Sequence, residues 1–365
     1  MLIAEIIKVL EELAPPVLQE GYDNAGLITG NPGWECTGVL CTLDSTEEVL
    51  EEAIRRNCNL VVAHHPIVFS GLKKITGSGY VQRTVISAIK NDIAVYAIHT
   101  NLDNQLDGVN DRIADRIGLI KRQILDPKPG TLRKLVCFVP VDFASKVRDA
   151  VFSAGAGNIG NYDECSFNTS GTGTFRPLEK ANPFTGTIGQ RQEEPELKLE
   201  MVYPAAFEKR IIAAMRAAHP YEEVAFDLLP LSNPHPGIGA GIVGELSPAT
   251  SEQDFLGQLS EAFQTGIIRH SPLRGRPVQR VAVCGGAGSF LISKALAANA
   301  DFFVTADLKY HEFFDADGQM VVADIGHFES EQYTAALLQE VLVRKFPTFA
   351  VLKTEVNTNP VRYFR

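Results

Sequence analysis

At 365 residues the chain is too long for one ordinary domain, and 45% apolar with 21% charged residues is the balance of a folded globular protein, with no room for a large disordered tract. With a formal charge of −10 and no dense run of lysine and arginine, most of the surface repels a nucleic-acid backbone, local basic patches aside, so no nucleic-acid partner is expected. No segment is long and apolar enough to span a bilayer, and the opening MLIAEIIKVLEELAP lacks the basic flank and apolar stretch of a signal peptide. A cytoplasmic protein with no membrane partner is therefore expected. The six cysteines, Cys36, Cys41, Cys58, Cys137, Cys165 and Cys284, form no C-x-x-C pair and fall mostly in apolar runs, so they read as buried thiols.

The first segment alternates apolar and charged residues at helical spacing until Pro15 and Pro16 end it. A strand-then-helix rhythm follows. GVLCTLD ends at Asp44 and leads into the helix STEEVLEEAIRRN, for which Ser45 or Thr46 can serve as cap, with Glu47 and Glu48 in its first turn. NLVVAHHP is the next strand, followed by the loop IVFSGLKKITGSG and the helix YVQRTVISAIKND. IAVYAIHTNLD is a third strand and GVNDRIADRIGL a third helix. Strands and helices of these lengths predict parallel pairing and a sheet covered on both faces.

The texture changes near Leu125, where DPKPGT reads as a linker. The central segment then runs strand (RKLVCFVPV), helix (DFASKVRDAVFSAG), a Gly/Asn/Thr-rich strand pair, strand (ELKLEMVYP), helix (AAFEKRIIAAMRAA) and strand (EEVAFDLLPL). This is the β-α-β-β-α-β order of a ferredoxin-like α+β domain. The outer rhythm resumes with RVAVCGGAG and the helix SFLISKALAAN, DFFVTAD and LKYHEFFDA, then MVVADIG and one helix through HFESEQYTAALLQEVLVRKF. The expected organisation is an α/β lobe over 1–125, an inserted domain over 126–238 and a second α/β lobe over 239–365. The two lobes must pack together to close any shared site.

Ligands of open parallel sheets bind beyond the carboxyl ends of the strands. Six consecutive strand ends carry Asp44, then His64 and His65, then His99 and Asp103, then Gly285 and Gly286, then Asp307, and last His327. Successive strand side chains point to opposite sides, so two adjacent imidazoles rarely grip one ion. With Pro66 swinging the chain, His64 and His65 can each reach a different metal, with a carboxylate bridging the pair. His327 and Glu331 stack on one face at the start of a helix and can converge on one point. The bland alternatives apply to each feature alone. A His-His pair is most often incidental, His99 can be a satisfied structural histidine, and Asp103 can simply start a turn. A His-x-x-x-Glu pair is usually a solvated face, and Asp44 and Asp307 are as readily helix caps. Gly285-Gly286-Ala287-Gly288-Ser289 can cradle a phosphate at a helix start or serve only close packing. Found together at adjacent strand ends, these features are improbable as coincidence.

YDNAGL (22–27), AHHPIVFSGLKKIT (63–76), IHTNLD (98–103), GGAGS (285–289), TADLKYHEF (305–313) and DIGHFESE (324–331) together resemble the Nif-three-like family, also described as GTP cyclohydrolase 1 type 2 homologues. The resemblance covers both outer lobes. It implies a two-lobed α/β fold, a dinuclear metal centre between the lobes and a toroidal homohexamer. Carried over motif by motif, the ligands are His64, His65, Asp103, His327 and Glu331, with His99 in the same pocket. The central segment, with HPYEEVAFDLLPL (219–231), is similar to the PII/CutA-like insertion of longer bacterial members. The expected function is a metal-dependent hydrolase holding two divalent ions per subunit, drawn from Zn, Fe, Mn or Co, and acting on a small-molecule substrate such as a nucleotide or phosphoester. His99 is then the candidate acid/base, and Gly286 to Ser289 offer backbone donors to a phosphate. The alternative is a non-catalytic metal-binding regulatory or scaffold protein. Five protein ligands for two ions leave open coordination positions, which favours catalysis.

Overall fold

The structure is a computed structural model that describes residues 1–364. The chain folds as two compact units, Met1–Pro127 with Pro236–Arg365, and Lys128–His235. The first is mixed α/β and contains two sheets. One has five strands in the order Gly26–Thr29, Ala94–Ala97, Leu60–Ala63, Val39–Thr42, Val351–Lys353. All neighbours in it pair in parallel except Gly26–Thr29, which runs antiparallel to Ala94–Ala97. VLCT, LVVA and AVYA are buried at every position, which fits a parallel sheet covered on both faces.

The other sheet has six strands in the order Arg269–His270, Val321–Asp324, Phe302–Ala306, Val278–Ala287, Gly239–Thr250, Ile120–Pro127. Its three central strands, Val321–Asp324, Phe302–Ala306 and Val278–Ala287, are mutually parallel, and the remaining pairings are antiparallel. Each sheet thus borrows a strand from far along the chain: Val351–Lys353 completes the first, and Ile120–Pro127 edges the second. One core joins them, in which Ile3, Ile6 and Leu10 of the first helix meet Tyr96, Phe302 and Leu338. Burying each side chain of this size contributes roughly 1.5–3 kcal/mol.

Several elements differ from their sequence-based expectation. The strand expected over IAVYAIHTNLD stops at Ala97, and Thr100–Asp103 form a helical turn, where Asp23 accepts from the Thr100 amide, which a ladder would have used, and from its hydroxyl. Asp103 therefore ends a turn and not a strand. The long C-terminal helix is two, His327–Glu331 and Thr334–Lys345. Helix Glu47–Arg55 is capped by Thr46, whose hydroxyl accepts from the Val49 amide.

The second unit has one four-stranded antiparallel sheet in the order Phe167–Phe175, Gln192–Pro204, Leu132–Pro140, Phe226–Pro230. Helices Ala144–Ser153 and Glu208–Ala218 contribute Val147, Val151, Ile211 and Met215 to a core with Leu135, Cys137 and Leu199. Its element order is β-α-β-β-α-β. Where a strand pair was expected, a single strand Phe167–Phe175 is followed by a loop over 176–191.

Candidate metal centre

His64 and His65 directly follow the fully buried strand Leu60–Ala63, and their amides still donate to the Thr42 and Leu43 carbonyls. The chain bends there, so the two rings do not take opposite sides as they would in a strand. Their centroids lie 4.9 Å apart, and His99 sits 5.2 Å from the first ring and 5.3 Å from the second. From the other sheet, helix His327–Glu331 follows strand Val321–Asp324 and brings His327 to 5.2 Å from His65, ring to ring.

Each imidazole is held through Nδ1, which turns Nε2 into the site. His64 Nδ1–H donates to the Ile98 carbonyl at 2.8 Å, His65 to Asp44 at 2.7 Å, His327 to Asp307 at 2.7 Å and His99 to Asp23 at 2.8 Å. Such partners fix the ring and its tautomer, as expected around metal ligands. Asp44 and Asp307 are therefore neither helix caps nor members of the inner cluster: they orient its histidines. Asp44 is in turn held by the Thr358 hydroxyl at 2.6 Å. Asp307 sits in the left-handed region at φ 54°, a conformation that aspartate tolerates better than most residues.

The inner atoms converge on Glu331 Oε2, which lies 3.0 Å from His65 Nε2, 3.1 Å from His327 Nε2 and 3.9 Å from His64 Nε2. His327 Nε2 and His65 Nε2 are themselves 3.4 Å apart. Asp103 Oδ1 approaches His64 Nε2 to only 3.6 Å, and both of these buried atoms lack a hydrogen-bond partner. Leaving such atoms unsatisfied is costly, so each calls for a further ligand. Three sets of donors lie within 4.8 Å of one another and can hold a metal ion: His64, Asp103 and Glu331; His65, His327 and Glu331; and His64, His65 and His99. The structure thus brings all six sequence-predicted site residues together.

The charges reinforce this arrangement. Burial opposes a charge on His65 and His327, but their carboxylate partners outweigh it and hold them up at about 9 and about 11. For His64 burial wins, pushing it down to about 3, so it is a neutral donor. Burial, with Glu331 nearby, drives Asp103 well above the usual carboxylate range. Glu331, against its burial, is held well below that range by hydrogen bonds from His327 and His65.

The glycine-rich segment serves this centre by shape. A Cβ on Gly286, at φ 59°, would lie 2.6 Å from Glu331 Oε1 and 3.2 Å from His327 Cε1. Three amides of this segment are already taken up within the fold. Gly285 donates to Asn110, Gly286 to the Ser330 hydroxyl and Gly288 to Thr305. Asn110 also donates to the Asp103 carbonyl, tying both sides of the cluster together. Asp23, Asn110, Ser330 and Thr358 had no role assigned from the sequence. Asp23 and Ser330 lie inside the quoted motifs YDNAGL and DIGHFESE, whereas Asn110 and Thr358 lie in none. A cleft of about 430 Å³ opens onto His65 and His327 and is walled by Arg269, Phe328, Asn359 and Tyr363. Arg269 is engaged by Asp324 and by the Leu308 carbonyl.

Comparison with known proteins agrees with this architecture. Residues 1–360 match the family described as Duf34/NIF3 (NGG1p interacting factor 3). A protein of Halalkalibacterium halodurans named GTP cyclohydrolase 1 type 2 homolog is 38% identical over 98% of each chain, and one of the same name from Bacillus subtilis is 35% identical over 98% of each. The crystal structure of a Bacillus cereus protein related to NIF3 superposes with a TM-score of 0.88 at 36% identity, covering 100% of this chain and 99% of that one. Among the described residues no helix is long and apolar enough to cross a membrane. The chain belongs to the DUF34/NIF3 family.

Proposed function

We propose that the cluster holds two divalent metal ions and that the protein is a metal-dependent hydrolase of nucleotides or phosphoesters. The observation that carries this is the buried gap between His64 Nε2 and Asp103 Oδ1, both without partners and 3.6 Å apart, beside a second convergence of His65, His327 and Glu331. The set fits two ions better than one. His64 and Asp103 would hold the first, His65 and His327 the second, with Glu331 able to serve both. Imidazole with carboxylate suits Zn, Fe, Mn or Co. Such a pair, when bound, supplies Lewis acidity and a water made acidic toward neutral pH.

The chain's own groups do the rest. His65 and His327 border the cleft, so a substrate seated there meets the centre from one side. His99, oriented by Asp23, is the group that would take or give a proton at Nε2. GTP is the first substrate to assay, because the relatives' name points to it. A hexameric ring and a reducing compartment are the matching expectations, the latter because all six cysteines are free.

The test is elemental analysis of protein purified without chelator, joined to turnover of GTP and of model phosphodiesters. Two ions per chain with turnover that falls about 10²- to 10⁴-fold in His99→Gln, while metal is retained, are expected. Asp103→Ala should lose metal. Two ions with no turnover of either substrate class would leave the metal-binding scaffold as the better description, and no bound metal would overturn the centre itself.

A further inference from the structure

The second unit has a cavity of its own, about 720 Å³, lying on the face of its sheet opposite the two helices. Phe138, Phe175, Phe184, Tyr221, Pro177 and Leu178 supply its apolar walls, and threonines of strand Phe167–Phe175 with the cations Arg176 and Lys198 complete the lining. The rings stand around one another, with Tyr221 at 5.9 Å from Phe175 and 6.2 Å from Phe184. On the floor is Glu196, only 8% exposed. Its Oε1 accepts from the Tyr221 hydroxyl at 3.0 Å, and it has no ion-pair partner among the described residues. Lys198, the nearest cation along the strand, is instead 3.4 Å from Glu200. Glu222 and Glu223 add two carboxylates to the rim.

The space is made by the backbone. Gly171 lies directly across the ladder from Glu196, and a Cβ on Gly173 would fall 2.2 Å from the Glu196 carboxylate. Tyr221 is fixed through its neighbour: its amide donates to His219 Nδ1 at 3.1 Å, and His219 Nε2–H donates to the Phe138 carbonyl at 2.9 Å. The segment HPYEEV, singled out in the sequence and without a part in the metal centre, therefore builds one wall.

We propose that this cavity binds a small organic cation, an ammonium group carried on an apolar body, with Glu196 as its counter-charge. A buried carboxylate with no cationic partner calls for one, and the π-faces of rings around it attract the same charge. The apolar walls take the rest of the ligand, as small-molecule pockets generally do. This inference is independent of the hydrolase reading, and its failure leaves that reading intact.

The experiment titrates benzyltrimethylammonium into the full-length protein by calorimetry, with benzyl alcohol and phenylacetate as the neutral and anionic controls. Saturable binding of the cation alone is expected, weakened at least about tenfold in Glu196→Gln. Phe184→Ala, in an exposed loop where folding is not at risk, should weaken it severalfold. Metal content should stay at the parental level in both variants. Absence of saturable binding, equal affinity for benzyl alcohol, or unchanged affinity in folded Glu196→Gln would each overturn the proposal.

Discussion

Glu331 and Glu196 are both buried carboxylates, 4% and 8% exposed, one in each unit, and they are buried in opposite company. Glu331 is met by three imidazoles from both sheets of its unit. Glu196 is met by one hydroxyl and a set of rings. A desolvated charge must find compensation. At Glu331, in the first unit, the fold supplies it and still leaves His64 Nε2 and Asp103 Oδ1 beside it unpartnered, an arrangement suited to cations held by many donors. In the second the fold supplies a single hydrogen bond and open space, which marks a site for a ligand that carries its own charge.

This contrast can be broken most sharply at Glu331. Glu331→Ala leaves His65 and His327 facing each other without their shared acceptor, and the chelator-treated protein should lose about 3–5 kcal/mol of stability in denaturant unfolding, the usual cost of removing one partner from a buried charged set. Stability within 0.5 kcal/mol of the parent, roughly the spread of ordinary surface substitutions, would show that the imidazoles do not depend on that carboxylate. Gly286→Ala combines a left-handed backbone with a Cβ pressed on Glu331 Oε1, and should cost about 1–3 kcal/mol together with metal. Retention of parental metal affinity there would mean that the close approach is incidental. Asp307→Asn keeps the size of the His327 partner but removes its charge, and competition against a chelator should report a loss of about 10- to 100-fold in metal affinity. The smallest effect is expected at the other carboxylate. Glu196→Gln keeps an acceptor for Tyr221 and should shift stability by less than about 1 kcal/mol, so a large loss there would erase the distinction between the two sites.

The parts of this centre that could be read from residues alone share one property: they are local. Four consecutive apolar residues, as in LVVA, specify a strand buried on both faces, and the polar residues that follow such strands stand where ligands collect. Thr46 ahead of Glu47 and Glu48 announces a helix start. The spacing of His327 and Glu331 places both on one side of a helical turn. The strand Gly26–Thr29 is short and half-buried throughout, so no alternation marks it in the sequence. Nor does any local pattern announce the strand Gly239–Thr250, which links the edge strand Ile120–Pro127 to Val278–Ala287 in the second sheet.

Residue type and local period thus determined which side chains were able to act on a metal and which strands would carry them. Tertiary structure decided their roles, because those depend on partners that lie far away along the chain. Asp23 reaches His99 across 76 residues, and Thr358 reaches Asp44 across 314. By its residues the glycine-rich turn suits a phosphate cradle and close packing alike, and it is Asn110, Ser330 and Thr305, from elsewhere in the chain, that take the amides of Gly285, Gly286 and Gly288. Hydrogen bonds and close approaches of this kind join points that no sequence period connects, so the difference between a cap, a cradle and a ligand's support is settled only when the sheets come together.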